Sequence, residues 1–477
     1  MKSARLPPGP RGLSMFFAFL RLLRDPLGST TELVRRYGDI VRLRVGTMQS
    51  YLLTSPELIE EVLRHQHRCF RKDSGTRLLS GFLGQGLLTN EGETWRRQRR
   101  LAQPAFQLER IQKYGEVMVA FTDTLLADWK AGQTRDIHTD MMRLTLRIAA
   151  RTLFGAGVET EEEETVGQAL EAVMKYYAGP VGQSLAFFPF LAKLPTPSNR
   201  RYQRALAQID RVVYATISKG RAAGGEGSDL LSRLLAATDE DGSRMSDQQL
   251  RDEVVTLLLA GHETTALALS FTFYLLAKNP TAADRLAAEL QEVLEGRLPT
   301  SADVPRLHYT EWVLKEAMRL YPPAPAIGRE AIEDCEIGGY PVRKGTQIGL
   351  LQWIVHRDPR WFDDPEAFKP ERWANDLARR LPRCAYFPFG DGPRICIGSQ
   401  FAMIEGILLL ATIAQRFRLS LAPGFDLELM PSITLRPKHG LKMSLAPSPL
   451  PGAVHAEPQA GQLVTASQRS DSAGVML

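Results

Sequence analysis

The stretch FPFGDGPRICIGSQF, residues 387–401, encloses three glycines, two prolines and one cysteine between two phenylalanines. Residues 398–417 then run on with the mostly apolar pattern of a helix. Cys396 therefore lies just before the expected helix, where free N–H groups and the helix dipole stabilise negative charge. The position predicts a thiol that ionises readily.

The surroundings of Cys396 suggest a metal ligand. No second cysteine or histidine lies at ligand spacing, which suggests one protein ligand to a metal that brings its other ligands with it, and haem is such a site. Arg394 could then pair with a haem propionate, and Phe389 could exclude water. Three glycines would let the backbone approach a bulky group: Gly390, Gly392 and Gly398. An inert buried cysteine is the alternative, and we expect it for Cys69, Cys335 and Cys384.

Length and composition set broad limits. The chain has 477 residues and 44% hydrophobic content, enough for a large core, and length alone suggests two or three domains. A net charge of +5, spread along the chain, does not indicate nucleic-acid binding. Four widely spaced cysteines exclude a disulfide framework and indicate a reducing compartment. The apolar run at residues 13–20 is too short for a membrane span, so we expect a soluble protein, with a peripheral amphipathic contact as the alternative.

The chain has a mostly helical middle with strands near both ends. Alternating residues on either side of Gly46 predict a β-hairpin, and helical patterns follow over residues 56–278. Strand patterns return at residues 335–351 and 433–447, the latter turning at residues 438–440.

Residues 246–280 predict one long helix with a polar interruption. Ser246 and Gln249 have the spacing of a capping box, and Asn279-Pro280 ends the segment. Apolar residues on all faces require burial in a core or in lipid. A membrane span over residues 254–277 is the alternative, although Glu263 would cost several kcal/mol in mid-bilayer. The GHETT turn around Glu263 therefore indicates either a functional site or ordinary helix packing.

Two shorter patterns are ambiguous on their own. Glu316 and Arg319, at i,i+3, usually form a surface ion pair, but Arg372 could complete a buried network with them. Trp95 and Arg99, at i,i+4, share a helix face, and such a pair usually reflects packing.

Together these patterns resemble the cytochromes P450. The pattern F-x-x-G-x-R-x-C-x-G, met in full by residues 389–398, looks like that family's haem-binding loop. Four more family motifs occur in the expected order: W-x-x-x-R at Trp95 and Arg99, A-G-x-E-T-T at residues 260–265, E-x-x-R at Glu316 and Arg319, and P-E-R-W at residues 370–373.

The resemblance covers residues 7–446 and implies a single triangular fold in place of two or three domains. That fold is mainly α with small β-sheets, and haem lies between a long central helix and the cysteine loop. We therefore expect a haem domain over residues 1–447 and a disordered tail over residues 448–477, which are rich in small, polar and proline residues.

The resemblance also implies residue roles. Cys396 would be the axial thiolate and the metal ligand of haem b, iron protoporphyrin IX. Thr264 would hydrogen-bond dioxygen and Glu263 would relay protons to it. The cofactor would be held by Trp95, Arg99, Arg329, Phe389, Arg394 and Gly398, with the propionates on Trp95 and the three arginines. Glu316, Arg319 and Arg372 would be structural.

The implied activity is monooxygenation, by hydroxylation or epoxidation of a lipophilic small molecule with O2. A fatty acid, a terpenoid and a polyketide all remain open as substrates, and the pocket would draw on residues 70–90, 175–190 and 324–328 and on Ile433. Three cations near its mouth could bind a carboxylate, although a solvated loop is the simpler interpretation: Arg71, Lys72 and Arg77. A peroxide-driven peroxygenase or isomerase and a haem-based sensor are the rivals, but neither accounts for Thr264 beside Glu263.

Electrons would come from a separate ferredoxin or flavodoxin with its reductase, since no nucleotide-binding G-x-G-x-x-G pattern occurs. Six arginines near the cysteine loop would form the docking patch: Arg96, Arg97, Arg100, Arg379, Arg380 and Arg383. The resemblance also implies a soluble, bacterial-type enzyme, and we expect a cytoplasmic monomer with no stable membrane insertion and no nucleic-acid partner.

Overall fold

The computed structural model describes residues 6–155, 160–185, 188–224, 229–239 and 242–448. Apart from Ser448, the predicted C-terminal tail lies outside these residues. The helices are α1 (Leu13–Arg24), α2 (Pro26–Tyr37), α3 (Pro56–Glu60), α4 (Ser74–Leu78), α5 (Ser80–Leu83), α6 (Gly92–Ala102), α7 (Leu108–Ala127), α8 (Ile137–Phe154), α9 (Thr160–Ala178), α10 (Pro180–Ser184), α11 (Pro197–Ala222), α12 (Leu230–Ala236), α13 (Asp247–Lys278), α14 (Pro280–Leu294), α15 (His308–Leu320), α16 (Gln352–Val355), α17 (Leu377–Arg380) and α18 (Ser399–Arg416).

The strands found among the described residues form four small sheets. They are β1 (Ile40–Val45), β2 (Met48–Leu53), β3 (Phe70–Lys72), β4 (Thr134–Asp136), β5 (Ile327–Ala331), β6 (Cys335–Ile337), β7 (Tyr340–Val342), β8 (Gln347–Leu350), β9 (Phe417–Leu421), β10 (Leu429–Pro431), β11 (Leu435–Pro437) and β12 (Lys442–Pro447). The largest sheet has the order β1-β2-β8-β5-β3, and the others are β4-β12-β9, β10-β11 and β6-β7. The predicted mainly α fold with small sheets is confirmed.

The N-terminal hairpin forms as predicted, but the C-terminal one does not. Val45 pairs with Met48 across the turn, where Gly46 adopts a positive φ of 60°. In contrast, the turn at residues 438–440 does not join paired strands. β11 pairs with β10, and β12 pairs with β9 and β4, because the two strands on either side of that turn belong to different sheets.

The long helix α13 forms the centre of the molecule. Ser246 caps it through the predicted capping box with Gln249, and Asn279 ends it. It packs against α8, α11, α15 and α18 and contributes to both of the largest hydrophobic clusters. α13 is long and apolar enough to cross a membrane, but most residues of its apolar stretch are buried inside the protein. Its all-round apolar surface is therefore that of a core helix.

Candidate active site

A cavity of about 400 Å³ lies between α13 and the loop that precedes α18. Its wall includes apolar side chains from several helices together with a small number of polar groups. All nine residues predicted for the site line this one cavity: Trp95, Arg99, Glu263, Thr264, Arg329, Phe389, Arg394, Cys396 and Gly398.

The cysteine loop is held by backbone contacts. The Cys396 N–H donates to the Phe389 carbonyl at 2.9 Å, and Arg99 donates to the Ile395 carbonyl at 2.8 Å. Gly392 adopts a φ of 72°, and a Cβ there would lie 2.0 Å from the Leu63 carbonyl oxygen. That glycine therefore serves the close approach of the loop to another backbone segment, and the expectation that it faces the bulky group is wrong.

The thiol of Cys396 does not ionise readily on its own, contrary to the prediction from its position. Burial raises its pKa, and this effect outweighs the opposing influence of the Gly398 N–H, Arg99 and Lys72. A thiol in such a place loses its proton on coordination to a metal, which deprotonates a bound thiol outright.

Four cations line the same cavity. Burial is the main cause that lowers the pKa of Arg329 to about 10 and of Lys72 to about 7, and Arg394 lowers both further. The carboxylate of Glu91 lies beside these cations. It pairs with Arg394 and accepts a hydrogen bond from the backbone N–H of Lys72 at 2.6 Å. Arg99 is the fourth cation. Lys72 is only about half protonated at pH 7, but the three arginines still give this end of the cavity an excess of positive charge over Glu91.

Lys72 and Trp95 have different surroundings from those expected. Lys72 is half-buried and lines the cavity itself, while Arg71 and Arg77 both pair with Glu330. The guanidinium above the Trp95 ring is that of Arg394, 4.3 Å from the ring centre, although sequence spacing suggested Arg99.

This donor set fits haem. The cavity offers one thiol, an apolar slot and four cations beside a carboxylate already paired with one of them, Arg394. Haem presents an iron that accepts a thiolate, an apolar macrocycle and two anionic propionates. Cys396 would therefore hold the iron, and the excess cations would neutralise the propionates.

On α13, Thr264 and Glu263 lie on the cavity wall in an unbroken helix. The Thr264 hydroxyl donates to the Ala260 carbonyl at 2.7 Å. Glu263 is buried, and its Oε1 accepts hydrogen bonds from the Thr434 hydroxyl and from Arg436 Nε at 2.7 Å. The carboxylate of Glu263, which was predicted to relay protons, is therefore held by hydrogen bonds from Thr434 and from Arg436 of β11.

Sequence reasoning missed three further polar groups around this helix. Arg436 and Thr434 hold Glu263, and no short motif marks either of them. Glu405 of α18 is also buried, and burial raises its pKa to about 8, so it is mostly neutral at pH 7. Of these three groups, only Glu405 has a signal in the sequence, because it is a charged residue type inside the apolar run after the cysteine.

The apolar part of the cavity agrees with most of the expected substrate segments. Leu79, Leu87 and Leu88 line it from residues 70–90, Ala324 and Ile327 from residues 324–328, and Ile433 joins them. Segment 175–190 contributes no lining residue among those described, although its neighbour Met174 does.

A buried ion-pair network lies next to the start of the cysteine loop. Glu316 and Arg319 are fully buried, and Arg319 contacts the carboxylate at 2.8 and 2.9 Å. Glu316 also accepts hydrogen bonds from Arg372 Nε at 2.8 Å and Trp373 Nε1 at 2.9 Å. Arg319 donates in turn to the carbonyls of His356, Pro365 and Ala367. The predicted network of Glu316, Arg319 and Arg372 is confirmed.

His356 links this network to the cysteine loop. Its Nε2 accepts a hydrogen bond from the Phe387 N–H at 3.0 Å, at the start of the loop. Burial holds the His356 pKa well below its usual value, so the ring is neutral and able to accept.

The chain matches the Cytochrome P450 family over residues 7–444. Two relatives come from Streptomyces melanosporofaciens: cyclooctatin synthase is 39% identical over 428 residues, 89% of this chain and 92% of the relative, and cyclooctat-9-en-7-ol 5-monooxygenase is 40% identical over 409 residues, 86% and 88%. Pentalenene oxygenase of Streptomyces avermitilis is 34% identical over 426 residues, 89% and 94%. The crystal structure of the cytochrome P450DA heme domain matches with a TM-score of 0.83 at 30% identity, covering 93% of this chain and 98% of that one.

Proposed function

Because this chain belongs to the cytochrome P450 family and is a haem-dependent monooxygenase, we propose that its substrate is a lipophilic terpenoid, which it hydroxylates or epoxidises. The observation that carries this choice is its 40% identity to cyclooctat-9-en-7-ol 5-monooxygenase and 34% identity to pentalenene oxygenase, both of which modify terpenoids. The apolar wall around Leu79, Leu87 and Ile433 suits a hydrocarbon skeleton. Fatty acids and polyketides become the competing substrates in the test.

Bound haem supplies the oxygen chemistry, in which one atom of O2 enters a C–H bond or an alkene and the other leaves as water. We assign the chain's own residues to holding the cofactor and delivering protons. Cys396 supplies the thiolate. Trp95, Arg99, Arg329 and Arg394 would hold the propionates, and Lys72 would join them because it lines the same end of the cavity.

Proton delivery is assigned to Thr264 and Glu263. The Thr264 hydroxyl lies on the cavity wall and can turn from the Ala260 carbonyl toward dioxygen. Glu263 Oε1 holds the hydrogen bonds from Thr434 and Arg436, which leaves Oε2 to exchange a proton. Positioned proton transfer of this kind contributes roughly 10²–10⁴-fold to rate.

Substrate class is tested by titration and turnover. We expect cyclic terpenoids to change the Soret absorption of the holoenzyme at lower concentration than fatty acids or polyketides do. With O2, reduced pyridine nucleotide and a reductase system, the terpenoid should gain one oxygen atom. Turnover that needs only peroxide would instead support the peroxygenase alternative, and preference for a fatty acid would contradict the terpenoid assignment.

Replacing Thr264 with alanine should divert electrons from product to hydrogen peroxide. The rate of product formation should fall by roughly 10²-fold because positioned proton delivery is lost, while haem content stays the same. Product and peroxide are measured per electron consumed. The matched control is Thr272→Val on the same helix, whose hydroxyl donates to the Ala268 carbonyl. Equal coupling in the Thr264 variant and the wild type would show that this hydroxyl has no proton role.

A redox partner supplies the electrons, and we propose an acidic ferredoxin or flavodoxin. α6 touches the cysteine loop through Arg99, and Arg383 contacts Asp391 of the loop at 3.0 Å. The predicted arginine patch therefore borders the loop on two sides. Much of its charge is already paired, because Arg97 and Arg100 both contact Asp239 at 2.6 Å.

Haem reduction by a ferredoxin should slow by about tenfold as ionic strength rises to several hundred millimolar, since charge steers the encounter. Arg96→Glu with Arg380→Glu should cause a similar loss at low salt. We choose these residues over Arg97 because Arg97 binds Asp239 within the fold. Arg204→Glu, at an exposed arginine of α11, is the control. A salt-independent rate would rule out the patch. A cytoplasmic location and a monomeric state remain predictions.

A further inference from the structure

Helix α1 has two apolar faces, and the fold covers only one of them. Met15, Ala18 and Leu22 pack against the small hydrophobic cluster formed around β1 and β2. On the other side five large apolar side chains are exposed, by 78, 56, 58, 41 and 60% respectively: Leu13, Phe16, Phe17, Leu20 and Leu23. We call these five residues the outer face of α1.

The outer face is continuous. At about 100° per residue its five positions fall within an arc of about 120°, opposite the packed face. The Phe16 and Phe17 rings lie edge to face with centres 5.9 Å apart. A helix that is apolar on both sides requires a second apolar environment, and contiguous exposed apolar surface usually marks an interaction site.

The charge around the outer face is positive. Arg21 is exposed beside it, Arg24 is exposed at its C-terminal end and Arg11 is exposed just before the helix, and the sequence has no acidic residue before Asp25. Arg21 contacts Glu32 at 3.1 Å, but both side chains are largely exposed, and such surface pairs are weak. A helix with Phe and Leu on one face and arginines at its margin has the pattern of helices that lie in the interface of an anionic membrane.

We propose that the outer face of α1 binds the surface of a lipid bilayer that carries anionic headgroups, with the helix lying in the interface and not crossing it. The aromatic and leucine side chains enter the headgroup boundary, while Arg21 and Arg24 contact lipid phosphates. A symmetric dimer through the same face suits the charges less well, because it brings the arginines of both copies together. The inference goes beyond the proposed function and does not depend on the identity of the substrate.

The test is co-sedimentation of the full-length holoenzyme with vesicles of phosphatidylcholine alone or mixed with phosphatidylglycerol. We expect binding to the mixed vesicles that weakens with salt and is much lower on phosphatidylcholine alone. Phe16→Ser with Leu20→Ser should lower the partition coefficient by at least about tenfold, and Arg21→Gln with Arg24→Gln should abolish the preference for the mixed vesicles. Leu108→Ser, at another exposed leucine, is the control and should bind as the wild type does.

Three outcomes would overturn the proposal. They are holoenzyme that stays in the supernatant, a Phe16/Leu20 variant that binds as the wild type does, and a dimer formed without vesicles that this variant loses. The last outcome would assign the face to a second copy of the chain. The reduced, carbon-monoxide-bound spectrum and turnover are recorded on the same samples. Loss of vesicle binding with both intact, or the reverse, separates this inference from the proposed function.

Discussion

We expect Cys396→His to abolish the long-wavelength Soret band of the reduced, carbon-monoxide-bound protein, together with monooxygenase turnover. The band depends on a thiolate ligand, and Cys396 is the one cysteine among the residues that line the cavity. A histidine nitrogen donates less electron density to iron than a thiolate does. We expect product formation to fall to background.

Haem retention makes this result interpretable. Arg99, Arg329 and Arg394 line the cavity and would hold the propionates independently of the thiol, so the variant should still bind haem, measured as haem per polypeptide. Cys335→Ala, on β6 and outside the cavity, is the matched control and should keep both the band and turnover. A Cys396→His protein that keeps the long-wavelength band would disprove thiolate ligation by this residue.

Glu316→Gln should lower the free energy of unfolding by about 3–5 kcal/mol, because it leaves the buried guanidinium of Arg319 without its counter-charge. The substitution conserves volume, so the loss reports charge and hydrogen bonding and not a cavity. Total stability of a domain is about 5–15 kcal/mol, and the variant should therefore give little folded holoprotein. Urea unfolding followed by haem absorbance and circular dichroism measures the effect.

The control for this variant lies on the same helix. Glu311 pairs with Lys315 at 2.7 Å, but that pair is partly exposed, so Glu311→Gln should cost about 0.5 kcal/mol or less. If Glu316→Gln cannot be purified, Arg319→Lys keeps the charge without the two-point contact and should have intermediate stability. Equal unfolding midpoints for the Glu316 and Glu311 variants would contradict the structural role of the network.

Local signals in the sequence were sufficient for many elements. The capping box of α13 and the turn between β1 and β2 depend on residues within four positions of each other, so they can be recognised without the fold. The turn at residues 438–440 has similar local chemistry, yet the strands beside it join different sheets. Strand pairing is decided by distant partners, which a turn pattern does not identify.

The candidate site was also predictable only in part: its motif residues were, and the partners of those residues were not. The motif residues from Trp95 to Gly398 were identified from the sequence through the family resemblance, and the structure brings all nine to one cavity. Their partners were not predictable. Sequence spacing favoured Arg99 as the guanidinium near Trp95, but Arg394 occupies that place after the fold brings the loop against α6.

The sequence by itself thus determined the family, the long central helix, the cysteine loop and the residue types of the site, because these follow from short-range patterns. Only the tertiary structure decided that Lys72 enters the cavity, that Arg97 binds Asp239, and that Arg436 holds Glu263 from 173 residues away. The physical reason is that a buried charged group must find a partner wherever the packed chain supplies one. That choice depends on the whole fold, and no local pattern in the sequence records it.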